Sequence, residues 1–175
     1  MKKGYLQVYT GNGKGKTTAA VGLAVRGAGA GLQVVVSQFM KAMDTSEVKI
    51  LNKIENVDIL RYAQSKKFVW DMTDKEKEHL GELMHRQLSD TLKEAKKDKA
   101  DIVIFDELLG AFHAGFIGRE QIENMLDNRP DTVEYIITGR NAPEWLLDRA
   151  DLVTEMTEYK HYMAEGVNGR KGIEF

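Results

Sequence analysis

No cysteine occurs in the 175 residues, which excludes disulfides, thiolate metal sites and thiol nucleophiles. Proline is nearly as scarce, with 2 in the chain, and no Pro/Gly-rich linker or low-complexity tract divides it. Neither sign of charge prevails. Lys and Arg number 25 against 27 Asp and Glu, a formal net charge of -2, so bulk electrostatics give no ground for binding nucleic acid or an anionic membrane. Long hydrophobic runs are missing too: Ile102–Phe105 is strand-sized, far short of a membrane span. No apolar stretch of secretory length precedes Gly11. The expectation is a soluble, cytoplasmic chain, residues 1–175 forming one domain, with neither nucleic acid nor membrane as partner.

What the chain does have is alternation. Apolar, β-branched segments at Tyr5–Tyr9, Gln33–Phe39, Val57–Tyr62, Asp101–Phe105, Val133–Thr138 and Leu152–Met156 predict strands. Helical patterns fall between them, at Thr17–Gly29, Ser46–Ile54, Thr73–Lys97, Arg119–Asn128 and Pro143–Arg149. The best marked begins at Thr73, where Glu76 three residues later completes a capping-box pattern. Such alternation predicts an α/β fold with a mostly parallel sheet and helices on both faces. The last stretch, 164–175, has no clear period, and either frays or closes over a site.

The first strand runs into Thr10-Gly11-Asn12-Gly13-Lys14-Gly15-Lys16-Thr17-Thr18 and then into a helix. Glycines in a strand-to-helix turn let backbone N–H groups converge on an anion, and the helix N-terminus adds partial positive charge. Lys16 reaches phosphate oxygens in such a loop, Thr17 places a hydroxyl on Mg²⁺, and Lys14 is a second cation. The usual G-x-x-x-x-G-K-[ST] pattern begins with glycine, and here that position is Thr10. The bland alternative is a glycine-rich turn without a ligand. A metal beside the phosphates also needs a carboxylate, expected on a neighbouring strand, and the Ile102–Phe105 strand ends in Asp106 and Glu107. Ligands in open α/β sheets sit beyond the strands' carboxyl ends, where loop and acidic pair would meet.

In chain order, "TGNGKGKTTAA" at 10–20, "FVW" at 68–70, "DE" at 106–107, "ITGRNAP" at 137–143, "ADLVTEM" at 150–156 and "KGIEF" at 171–175 resemble the ATP:corrinoid adenosyltransferases. Thr10 at the head of the loop belongs to that family's pattern. The family usually has a glycine before its F-x-W motif, and this chain has Lys67 there. The resemblance implies a P-loop NTPase-like (RecA-like) fold. It also implies transfer of the 5′-deoxyadenosyl group of ATP to the Co(I) of a reduced corrinoid, with release of triphosphate, in adenosylcobalamin biosynthesis or salvage. ATP and Mg²⁺ (or Mn²⁺) are then required, a homodimer is expected, and a flavoprotein is the implied reductant. The alternatives are a phosphotransferase or ATPase on the same fold, and a non-catalytic nucleotide-binding regulatory module.

The family's F-x-W aromatics lie against the corrin, which assigns that role to Phe68 and Trp70; in an extended segment the two would project to one side. Their ordinary reading is as core aromatics. Arg26 matches a family arginine near the nucleotide, against the reading of a solvated helix arginine. Arg140 follows a strand end and is expected at the site, although its segment also reads as a turn before a helix at Pro143. The expected nucleotide-binding set is therefore residues 10–18 with Arg26 and Arg140, and the metal set is Thr17, Asp106 and Glu107. Lys16, Phe68 and Trp70 are the expected catalytic residues. The four histidines form no metal-binding spacing and read as structural or exposed, with His161 near enough to the chain's end to contact a corrin side chain.

Overall fold

Strands and helices alternate along the computed structural model, which describes residues 3–40, 45–62, 67, 69–96 and 100–174. The strands are β1 (Leu6–Thr10), β2 (Val34–Gln38), β3 (Val57–Leu60), β4 (Ile102–Asp106), β5 (Glu134–Thr138) and β6 (Leu152–Glu155). Between them lie helices α1 (Lys16–Gly29), α2 (Ser46–Leu51), α3 (Asp74–Lys96), α4 (Leu108–His113), α5 (Arg119–Asp127) and α6 (Glu144–Leu147). All six expected strands and all five expected helices are present. The predicted end of α3 at Lys97 lies outside the described residues. Helix α4 was not expected. It is short, six residues from Leu108, and follows β4 after one residue, which leaves too few residues to show a helical period in the sequence.

The six strands form one sheet in the order β3-β2-β4-β5-β1-β6, every pair parallel. The acidic strand β4 is therefore not hydrogen-bonded to the loop strand β1. β5 lies between them, which corrects the expectation of direct neighbours. The loop and the acidic pair still converge, because in a parallel sheet all carboxyl ends share one edge.

Successive residues on a strand point to opposite faces, and the core divides accordingly. Val35, Val103, Phe105, Tyr135 and Ile137 face the layer that includes Leu80, Met84 and Leu88 of α3 and Ile122 and Met125 of α5. Val34, Val36, Ile102, Ile104 and Ile136 face α1. Helix α1 presents Ala20, Ala24, Gly27 and Ala28 to the sheet, and this stripe of small residues permits close approach. A Cβ on Gly27 would stand 2.5 Å from Ile102 Cδ1. The helix that carries the phosphate loop is thus set hard against the sheet's centre.

The start of α3 forms the predicted capping box. Thr73 N–H donates to Glu76 Oε2 at 2.8 Å, and Glu76 N–H donates to Thr73 Oγ1 at 3.3 Å. Burial along α3 then follows the helical period through Leu80, Met84, Gln87, Leu88, Thr91 and Ala95.

Candidate active site

The phosphate loop leaves β1 at Thr10 and enters α1 at Lys16. Gly11 (φ 99°) and Gly15 (φ 120°) adopt left-handed backbone that side chains rarely tolerate. The close approach at the loop is partly to protein. Cβ atoms on Gly11 and Gly13 would stand 2.4 Å and 2.7 Å from the Met156 carbonyl oxygen. That oxygen accepts the Gly13 N–H at 2.7 Å, and Met156 N–H donates to Thr10 O at 2.9 Å. The segment after β6 therefore buttresses the loop from beneath.

Thr10 has an equally structural task. It is buried, and its Oγ1 accepts the Ala142 N–H at 3.1 Å, pinning the β5–α6 connection to the loop. Glycine at this position would lose the strut.

Lys16 is buried, and its Nζ donates to the carbonyls of Gly11 and Gly13, both at 2.7 Å. Burial lowers its pKa, while Glu107 opposes that shift and Arg140 adds to it. Thr17 Oγ1 donates to Asp106 Oδ1 at 2.8 Å, and Thr138 Oγ1 donates to the same oxygen at 2.8 Å. Thr138 Oγ1 in turn accepts the Glu107 N–H at 2.9 Å. One carboxylate thus joins the loop helix, β4 and the intervening β5. Glu107 sits in left-handed backbone (φ 57°), a conformation unusual for a residue with a side chain. That turn directs the chain into α4 immediately after the acidic pair.

These elements enclose an open cavity of about 500 Å³, within the usual range for small-molecule sites. Its walls differ in charge. Asn12–Thr18 and Arg140 bring cations and the helix N-terminus, whereas Ser46, Glu47 and Glu107 bring oxygen donors. His161 and the terminal residues Gly172, Ile173 and Glu174 close another side, so the tail closes over the site.

Of the expected site residues, Asn12 to Thr18, Glu107 and Arg140 line this cavity. Thr10, Gly11 and Asp106 stand directly behind it as supports. Arg26 is exposed on α1, outside the lining, and acts electrostatically on the Tyr9 phenol. Phe68 lies outside the described residues. Trp70 is 76% exposed and sits in a 3₁₀ turn, Val69–Asp71, not in the extended segment expected for it. A tight turn suits this stretch because Met72 must reach the core immediately afterwards.

Besides the tail residues and Ser46 of the cavity wall, Gln38 and Glu47 were missed from sequence. Gln38, at the end of β2 and in register with Asp106, donates from Nε2 to Asp106 Oδ2 at 3.4 Å and to Glu47 Oε1 at 3.2 Å. The carboxyl-end rule for parallel strands points to Gln38, but Glu47 carries no local motif. Three histidines fit their structural or exposed readings: His85 bonds Phe116 O at 2.6 Å, His113 bonds Asn141 O at 2.8 Å, and His79 is exposed beside Glu82.

A family model described as ATP:corrinoid adenosyltransferase BtuR/CobO/CobP matches residues 2–175. The corrinoid adenosyltransferase of Escherichia coli is 33% identical over 179 residues, spanning 99% of this chain and 87% of that protein. Corrinoid adenosyltransferase CobA of Salmonella typhimurium is 34% identical over 179 residues, with the same 99% and 87% coverage. A corrinoid adenosyltransferase from Sinorhizobium is 33% identical over 177 residues, spanning 99% of this chain and 81% of that protein. The match takes in the loop with its threonine head, the acidic strand end and the tail that closes the cavity, and on it the chain belongs to the ATP:corrinoid adenosyltransferase family.

Proposed function

We propose that this chain transfers the 5′-deoxyadenosyl group of ATP to the Co(I) of a reduced corrinoid and releases triphosphate. The observation that carries the reading is the divided cavity of this family member: Lys14, Lys16, Arg140 and a helix N-terminus on one wall, oxygen donors on the other. The reduced cobalt attacks C5′, and its electron pair forms the Co–C bond as the C5′–O bond breaks toward the triphosphate. No proton leaves the nucleophile, so the site needs no general base. Its work is to hold ATP in line and to stabilise charge growing on the leaving oxygen, which fixed cations and N–H donors do best.

Thr17, Asp106 and Glu107 supply hard oxygens suited to Mg²⁺ or Mn²⁺. The buried Gln38 Oε1, without a hydrogen-bond partner among the described residues, is an acceptor suited to a water on such an ion. When bound, the ion would neutralise charge on the phosphates. Lys16 would bind the leaving group, Asp106 would keep Thr17 oriented, and Glu107 would face the ion. Thr10 and Gly11 would support the loop, and Arg26 would approach the nucleotide from α1. Phe68 and the exposed Trp70 would meet the corrin. The proposal includes one domain over residues 1–175, a homodimer, a flavoprotein reductant and a cytoplasmic setting. No described helix is long and apolar enough to cross a membrane.

The test is incubation with ATP, Mg²⁺ and chemically reduced cob(I)alamin, following the spectrum of the adenosylated product and the phosphorus products together. Adenosylcobalamin with triphosphate is the expected outcome. ADP would mark a phosphotransferase or ATPase, and absence of turnover a regulatory module.

A further inference from the structure

The terminal motif that carries the family resemblance has no part in the chemistry so far. Glu174 closes one side of the phosphate cavity, and three residues, Lys14, Tyr162 and Arg170, bond its carboxylate. Its Oε1 accepts from Lys14 Nζ at 2.8 Å and from the Tyr162 hydroxyl. Lys14 Nζ also donates to the Tyr162 oxygen at 3.2 Å. Glu174 Oε2 accepts the Arg170 N–H at 2.7 Å and Arg170 Nε at 3.4 Å, and Oε1 accepts from Arg170 Nη2 at 3.4 Å. The same guanidinium lies 4.8 Å from the centre of the Tyr162 ring.

We propose that Glu174 is a positioning residue for Lys14, holding its ammonium over the phosphate loop where it meets the triphosphate. An unrestrained lysine stem has many rotamers, and an anion that binds it must order it. Glu174 and Tyr162 do that ordering beforehand. They use two of the three ammonium protons and leave the third for a phosphate oxygen. A carboxylate at the mouth of an anion cavity would ordinarily repel the ligand. Here Arg170 offsets it, so Lys14, Arg170 and Glu174 together keep one positive charge in excess. Lys14, then Tyr162 and the Arg170 N–H, hold the Glu174 carboxyl well below the usual carboxylate range, so it stays ionised.

This inference rests on the adenosyl-transfer reading in taking triphosphate as the leaving group, but its test needs no corrinoid. Calorimetric titration with tripolyphosphate and Mg²⁺ would compare wild type, K14A, E174A and the double variant. Each single change is expected to raise Kd about five- to tenfold, and the double variant should be no worse than K14A, because Glu174 acts only through Lys14. Y162F alters no charge and should raise Kd about two- to threefold in the wild-type background, with no effect on top of K14A. Additive losses, or unchanged or tighter binding by E174A or Y162F, would overturn the inference. Melting temperatures measured alongside separate a loss of fold from a loss of positioning. A wild type that binds tripolyphosphate but forms no adenosylated product would sink the reaction and leave the clasp standing.

Discussion

Lys16 holds its charge in a place water barely reaches, 7% exposed and bonded to two carbonyls of its own loop. An ammonium fixed there is already oriented when negative charge grows on the leaving oxygen, so its removal is felt in the transition state. Lys16→Ala should raise the barrier by about 3 kcal/mol, roughly a hundredfold in kcat, with an unchanged circular dichroism spectrum. The two acidic residues should separate by a different measurement. Asp106 accepts from Thr17 and Thr138, and Asp106→Ala leaves both hydroxyls without that acceptor, at a cost of about 1–3 kcal/mol in stability. Glu107 lines the cavity, so Glu107→Ala should raise the Mg²⁺ concentration needed for half-maximal activity while leaving the melting temperature nearly constant. If neither variant alters metal dependence, the metal belongs elsewhere.

Helix α3 begins with a carboxylate whose ionisation is linked to folding. Lys67, donating at 2.5 Å, and then the Thr73 N–H and hydroxyl hold the Glu76 pKa down to about 2. A depressed carboxyl contributes stability that is fully present above its ordinary value near 4.5 and is lost as pH falls through about 2. Glu76→Gln should therefore melt below wild type at neutral pH, and the two melting curves should converge as pH falls from about 4.5 to 2. The 3₁₀ turn just before α3 allows a different test, because Trp70 is exposed. Trp70→Ala should change stability by no more than about 0.5 kcal/mol. It should nevertheless lose most activity when Co(II) must be reduced by a mild reductant, and much less when Co(I) is supplied. Equal losses in both assays would remove Trp70 from the corrin side.

Across the whole molecule, the cavity draws on the β1–α1 loop, α2, the β4–α4 turn, the β5–α6 connection and the tail. A ligand held by that many elements stabilises all of them at once. At a free Mg-ATP concentration of about 100 Kd the linkage is about 2.7 kcal/mol. For a chain of this size that should raise the melting temperature by roughly 5–10 °C. Thermal melts of wild type and Lys16→Ala, with and without Mg-ATP, check this. The shift should be present in both, because the Lys16 contact is felt chiefly in the transition state.

Local periodicity was enough for all six strands and for five of the six α-helices described. A strand repeats every two residues and a helix every 3.6, so short windows of this sequence revealed all six strands and the capping box at Thr73. The phosphate loop was legible for the same reason, since left-handed backbone at Gly11 and Gly15 and a lysine at the helix start are local requirements. Helix α4 escaped because its six residues, following the acidic pair at the end of β4, are too few to display a helical period. Which strands pair, however, depends on crossovers between distant segments, and only the folded sheet set β5 between the loop strand and the acidic strand. The β2–β4 pairing brings Gln38 into register with Asp106, and the place of β5 gives Thr10 its partner at Ala142 and lets Thr138 support the turn at Glu107. The contact between Lys14 and Glu174 spans 160 residues, a separation at which no local pattern connects the two ends. The loop residues expected to meet phosphate were written in one short stretch, whereas those that hold the loop in place come from distant parts of the chain, because only tertiary packing brings them together.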